Sequence, residues 1–234
     1  MGVPSVGTLG WWPTELGRYL RLLVITDPKL RPDVVRSVEE ALRGGATSIQ
    51  LRMKEASTRT LIAVGREIRR LTRDYGALYF VDDRVDVALA TDADGVQLGP
   101  DDMPISVARE VAPNLLVGAS VYSLKEALDA EAQGAHFLGA GSVYPSPSKP
   151  NARVIGLDGL RAIVRAVRVP VVAIGGITES NVLEVMEAGV VGVAVISAVM
   201  GAPDASEAAA RLRSLVDRAL SSRVGRPDPR RARA

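Results

Sequence analysis

The chain has 234 residues, 47% of them hydrophobic, no cysteine and a formal net charge of +2. This length and apolar content suit one large domain with a buried core, and the missing thiols exclude a disulfide framework, a thiolate metal site and a cysteine nucleophile. The positive excess is confined to one end: from Arg223 onward "RVGRPDPRRARA" carries five arginines and one aspartate, or +4, which leaves the rest at −2 by subtraction from +2.

The body is therefore not a basic nucleic-acid surface, and no nucleic-acid partner is expected. The opening "MGVPSVGTLGWWPTELGRYL" lacks the basic segment and apolar core of a signal peptide. No apolar stretch is long enough to span a membrane, so a cytoplasmic protein without a membrane partner is expected. Residues 1–19, with Trp11 and Trp12, read as a helical extension lying over the bottom of the domain. Residues 20–222 form the body. Residues 223–234 read as a disordered tail, since a Pro/Arg-rich segment with few large apolar residues cannot offset its ordering entropy.

Along the body, eight short apolar runs appear in order: "LRLLVITD", "TSIQLRMK", "LYFVDD", "GVQLG", "NLLVGASV", "HFLGAGSV", "PVVAIGGI" and "VVGVAVISAVM". They are nearly continuous rather than alternating, as strands of a parallel sheet covered by helices should be. Amphipathic stretches such as "DVVRSVEEALRGG" and "TLIAVGREIRRLTRDYG" separate them, several stopped by glycine, and "DASEAAARLRSLVDRAL" closes the series. This pattern predicts an α/β fold, a single (β/α)8 TIM barrel, with a doubly wound open sheet as the alternative.

In such a barrel, chemistry collects at the C-terminal ends of the strands. Those positions hold Gln50, Arg52 and Lys54 on the second run, Asp82 and Asp83 after the third, and Asp101 and Asp102 after the fourth. Ser120 follows on the fifth, Ser146, Ser148 and Lys149 after the sixth, Gly175 and Gly176 after the seventh, and Ser197 late in the eighth. Alternation puts Gln50, Arg52 and Lys54 on one face. Arginine, lysines and hydroxyls suit phosphate oxygens, and the aspartates suit an oxygen-liganded cation such as Mg2+, which commonly takes one or two carboxylates plus substrate phosphates. Glycines after the seventh run suit a second phosphate held by backbone N–H groups. Taken singly, each could be an ordinary strand-end charge or turn, but ordinary charges have no reason to gather at one end of a barrel. The only histidine, His136, begins a strand, which places it at the opposite end in a packing or capping role.

"QLRMK", "DDRVDVALATDADGVQLGPDD", "GASVYS", "PSPSK", "AIGGI" and "AVIS" occur in the order and nearly the spacing of the thiamine phosphate synthase family, which the chain resembles from about Leu20 to Leu220. The resemblance implies an Mg2+-dependent transferase that joins hydroxymethylpyrimidine diphosphate to a thiazole phosphate and releases pyrophosphate. It implies pyrimidine-diphosphate contacts from Gln50, Leu51, Arg52, Met53, Lys54, Asp82, Ser120 and Lys149, with Lys54, Lys149 and Ser120 catalytic. Asp83 and Asp102 would hold the metal. Ser146, Pro147, Ser148, Gly176, Ile196 and Ser197 would hold the thiazole phosphate. Three positions depart from the family pattern: Asp82 stands where asparagine is usual, Gln97 where histidine is common, and the serines of "PSPSK" where threonines are usual. Two other functions are carried forward, a thiazole tautomerase of the same superfamily and a non-catalytic sensor of thiamine precursors. The tautomerase relies on a histidine where this chain has Tyr122, and a sensor has no need of the acidic pair. Partners are expected to be these small molecules, with a homo-oligomer left open.

Overall fold

The computed structural model describes residues 13–146, 148 and 151–223. The eight strands are β1 (Leu22–Ile25), β2 (Ser48–Leu51), β3 (Leu78–Asp82), β4 (Gly95–Leu98), β5 (Leu116–Val121), β6 (Phe137–Ala140), β7 (Val171–Ile174) and β8 (Gly192–Val195). Helix α1 (Pro13–Tyr19) precedes them, and α2 (Val34–Arg43), α3 (Thr58–Tyr75), α4 (Val85–Ala90), α5 (Ile105–Val111), α6 (Leu124–Ala132), α7 (Gly156–Ala166) and α8 (Val182–Glu187) alternate with them. A short α9 (Ser197–Met200) and the long α10 (Ala205–Ser221) end the fold. Each strand is parallel to its sequence neighbour, and β8 returns to pair with β1, Val193 opposite Leu22. That closure makes a TIM barrel and excludes the open sheet.

Two strand ends differ from the sequence reading. β2 stops at Leu51, so Arg52 and Lys54 stand in the following loop rather than on the strand. The last apolar run divides: Val199 and Met200 donate their N–H groups to the Ile196 carbonyl at 3.2 and 2.8 Å, so Ser197 opens α9 instead of lying late in β8. A short apolar run cannot by itself distinguish strand from buried helix.

Side-chain alternation sorts the apolar residues into two cores. Along β1, Leu22 and Val24 join the larger cluster between strands and helices, while Leu23 and Ile25 face the barrel interior with Leu78, Phe80, Leu116, Phe137, Val172 and Ala194. Phe80 and Phe137 meet edge to face at 5.3 Å. Leu16 of α1 and the adjacent Leu20 complete this inner cluster, each buried. Full burial of one such side chain contributes about 1.5–3 kcal/mol. Trp11 and Trp12 lie outside the described residues, as does the tail beyond Arg223.

At the bottom of the barrel, the residue just before each of three even-numbered strands caps its neighbour. Thr47 Oγ1 accepts the Leu22 N–H at 2.9 Å, an Asp94 carboxylate oxygen accepts the Tyr79 N–H at 2.7 Å, and His136 Nδ1 accepts the Val117 N–H at 2.8 Å. Arg69 from α3 pairs with Asp94 at 2.6 Å, both side chains mostly buried. Thr47, Asp94 and His136 are thereby tied to the main chain, and Asp94 also to one matched cation.

Candidate active site

The opposite rim surrounds a cavity of about 300 Å³ that runs down into the barrel. Its floor is apolar, with Leu23, Ile25, Phe137, Val172 and Ala194, and its walls carry the polar residues expected from the sequence. Gln50, Arg52, Asp82 and Ser120 line one side. Ser146, Ser148, Gly176, Ile196 and Ser197 line the other, so both sets share one space.

Arg52 is held by its backbone. Thr26 Oγ1 accepts the Arg52 N–H at 2.8 Å and donates to the Arg52 carbonyl at 3.0 Å, a two-way clamp from the end of β1. Asp82 is the hub of the acidic side. It accepts Gln50 Nε2 at 2.6 Å, lies 3.1 Å from Lys54 Nζ and 3.7 Å from Arg52 Nε. Burial raises its pKa, the neighbouring Asp83 raises it further, and Lys54 and Arg52 pull it partly back. Lys54 also bonds Asp83. Burial, the largest single influence on Lys54, lowers its pKa, but the bonds and charges of Asp83 and Asp82 together carry it above the ordinary range.

Asp83 stands just past β3 with φ 62°, a left-handed conformation uncommon for a residue with a side chain. Its N–H is tied to the Gln97 carbonyl at 2.9 Å, which fixes that conformation from the neighbouring strand. Asp102 turns back to accept the Gly99 N–H at 2.6 Å. Burial raises its pKa, the Gly99 bond opposes this, and Asp83 raises it again, so the two carboxylates are close enough to repel. Asp101 lies exposed beside them. Among the described residues, no group of three or more acidic or histidine side chains could hold a metal ion.

The turn after β6 packs on two glycines. Gly175 and Gly176 have φ of 97° and 65°. A β-carbon on Gly176 would lie 2.6 Å from the Pro145 carbonyl oxygen and 2.7 Å from Tyr144 Cβ, so glycine serves both the backbone twist and the close approach of "YPSPSK". Ser142 Oγ donates to the Tyr144 carbonyl at 2.6 Å and Tyr144 Oη donates to Glu184 at 3.0 Å, which anchors the start of the turn. Pro147 and Lys149 lie outside the described residues.

Not every expected residue points a side chain into the cavity. Leu51 is buried in the outer core and Met53 packs against that core, and neither lines the cavity. Lys54, Asp83 and Asp102 do not line the cavity; Lys54 reaches it through its pairing with Asp82, and Asp102 neighbours Asp83. Sequence reasoning gave no site role to three contributors, Thr26, Gln97 and Thr178, although it marked Gln97 as a departure from the family pattern. Thr26 and Gln97 were legible as polar residues ending apolar runs; Thr178, a loop residue, left no such mark. Tyr122 also lines the cavity.

Comparison with known proteins agrees over most of the chain. Residues 22–199 match the family model described as thiamine monophosphate synthase. A protein named thiamine-phosphate synthase from Pyrococcus furiosus is 63% identical over 206 residues, covering 88% of this chain and 99% of that protein. One of the same name from Pyrococcus abyssi is 63% identical over 201 residues, covering 86% and 97%. The solved structure of thiamine phosphate pyrophosphorylase from Pyrococcus furiosus, 62% identical, superposes with a TM-score of 0.84 over 88% of this chain and 99% of that one.

Proposed function

The chain belongs to the thiamine monophosphate synthase family and is a transferase, and from that premise we propose that it joins 4-amino-2-methyl-5-(diphosphooxymethyl)pyrimidine to a thiazole phosphate, giving thiamine monophosphate and pyrophosphate. One observation carries this reading. A single cavity has Gln50, Arg52, Asp82 and Ser120 on one wall and Ser146, Ser148, Gly176 and Ser197 on the other, as a reaction between two bound phosphate esters requires.

The bond from the pyrimidine methylene to the diphosphate oxygen breaks, and its electron pair leaves with pyrophosphate. The lone pair of the thiazole nitrogen then forms the new carbon–nitrogen bond. No proton is lost from that nitrogen, so no general base is needed, which suits a site whose chain holds no cysteine and whose only histidine is at the far end. Arg52 and Lys54 stabilise the charge growing on the leaving group, and Lys149 joins them by its sequence position. Ser146 and Ser148 hold the thiazole phosphate with the first N–H groups of α9, which have no acceptor within the helix. The apolar floor takes the heteroaromatic ring and excludes water from the reacting carbon.

Asp83 and Asp102 fit a divalent cation of the Mg2+ kind. They are two repelling carboxylates with no third acidic or histidine ligand among the described residues, and Mg2+ commonly completes its shell with substrate phosphate oxygens and water. When bound, the cation would neutralise charge on the departing diphosphate.

The test is to mix both precursors with Mg2+ and follow thiamine phosphate and pyrophosphate together. Equimolar appearance of the two is expected. An isomerised thiazole alone would indicate a tautomerase, and binding without turnover a sensor; either would overturn the proposal.

A further inference from the structure

Gln97, next to last in β4, lines the cavity and is 6% exposed. Its carboxamide is paired on one side only. Nε2 donates to Ser120 Oγ at 3.1 Å, whereas Oε1 is buried with no hydrogen-bond partner. A buried acceptor left without a partner is costly, so the arrangement calls for an explanation.

The surroundings are shaped to admit this amide. Gln97 lies opposite Gly118 on β5, and Ser120 lies opposite Gly139 on β6. A β-carbon at Gly118 would collide with Gln97 Oε1, and one at Gly139 would lie 3.2 Å from Nε2. Two glycines on neighbouring strands thus clear the space that the carboxamide fills.

The pairing has a consequence for Ser120. A hydroxyl offers one hydrogen and two lone pairs. Gln97 Nε2 occupies a lone pair, and among the described residues Ser120 Oγ has no other partner, so the hydrogen is left for the cavity that Ser120 lines. We propose that Gln97 is a positioning residue: its carboxamide fixes the Ser120 hydroxyl as a donor aimed at a lone pair on the pyrimidine half of the bound pair. The inference rests on the reading that the cavity binds a pyrimidine diphosphate. It adds a residue whose effect runs through Ser120 rather than through direct contact, and it gives the orphaned Oε1 a reason. Turning the amide over would satisfy Oε1 by making the Ser120 hydroxyl donate to it, at the expense of the donor facing the ligand.

A double-mutant cycle tests this, with the dissociation constant of the pyrimidine diphosphate read by calorimetry in the absence of thiazole phosphate. Gln97→Leu and Ser120→Ala are each expected to weaken binding about tenfold, and the double variant to bind no more weakly than Ser120→Ala alone. Gln97→Leu removes the orphaned acceptor, so its melting temperature should not fall, which separates positioning from a merely structural role. Gln97→Glu keeps the shape but accepts where Nε2 donates; it should show the same tenfold loss and the same non-additivity, and it serves if the leucine variant does not fold. Additive losses in the cycle, or unchanged binding in Gln97→Leu, would sink the inference while leaving the reaction intact. A wild-type protein that binds no pyrimidine diphosphate would instead overturn the functional reading, and this inference with it.

Discussion

The two rims of the barrel are built from the same residue types to opposite ends. At the bottom, Thr47, Asp94 and His136 each accept a main-chain N–H from a neighbouring strand, and Asp94 has Arg69 as a matched cation. At the top, Asp82, Asp83 and Asp102 crowd one another: burial and mutual repulsion raise Asp82 and Asp102, and Asp83 sits at a positive φ. A closed buried pair is costly to break, whereas the carboxylates of the upper set raise one another's pKa and are only partly offset by Lys54 and Arg52. On the proposed function, polar residues serve the fold at one end and chemistry at the other, and substitutions should divide the same way.

The largest effect is expected from Asp94→Ala, which leaves the Arg69 guanidinium buried without its partner. Breaking such a pair costs about 3–5 kcal/mol. Denaturant melts should show that loss, while kcat per folded molecule stays near wild type; a stable variant would erase the contrast. At the top, Lys54→Ala should do the reverse. Its side chain is 48% exposed, so stability should change little, but kcat should fall about 10²–10³-fold, the effect of deleting one preorganised electrostatic group. Turnover near the wild-type rate would remove Lys54 from the chemistry.

His136 sharpens the comparison through pH. Burial and the Arg109 guanidinium push its pKa down to about 4. Both ring nitrogens face N–H groups, Val117 at Nδ1 and Arg109 at Nε2, so a ring protonated on both has nowhere to donate. The unfolded chain takes up the proton near 6.5, the folded one only near 4. The neutral ring's contribution is therefore complete above pH 6.5 and is lost as pH falls toward 4, by at most about 3 kcal/mol. His136→Gln should lose less stability than wild type between pH 7 and pH 4, and equal slopes would show that the ring is protonated without penalty. The smallest effect belongs to Ser146→Ala and Ser148→Ala. Each should raise the KM for thiazole phosphate about tenfold, or 1.4 kcal/mol, with little change in kcat; a fall in kcat alone would move these serines from holding substrate to stabilising the transition state.

The barrel was legible because its evidence is local: apolar runs of strand length, amphipathic stretches between them, and glycine stops. Most of the cavity followed, since fixed polarity of the strands tells which end of each run faces the site. Leu51 and Met53 show how alternation sorts even a continuous motif into pocket and core. What escaped depends on contacts between distant segments. Nothing local marks the φ of Asp83, which the Gln97 carbonyl fixes from fourteen residues away. The Gln97–Ser120 bond depends on the register of β4 against β5, and the need for glycine at Gly176 arises only because the turn after β6 lands on it.

The bottom caps have one more consequence, for how the chain could be rewired. They join β1 to β2, β3 to β4 and β5 to β6, so six of the eight strands form three stapled pairs and the staves are not all equal. A circular permutant opened at Gly76, between α3 and β3, keeps every stapled pair contiguous, and Gly76 has nothing within 4 Å of where a β-carbon would sit. One opened at Gly45, before Thr47, would send the partners of the first staple to opposite termini. The seams between pairs are the places where such a barrel could be cut, duplicated or grafted with its wall intact.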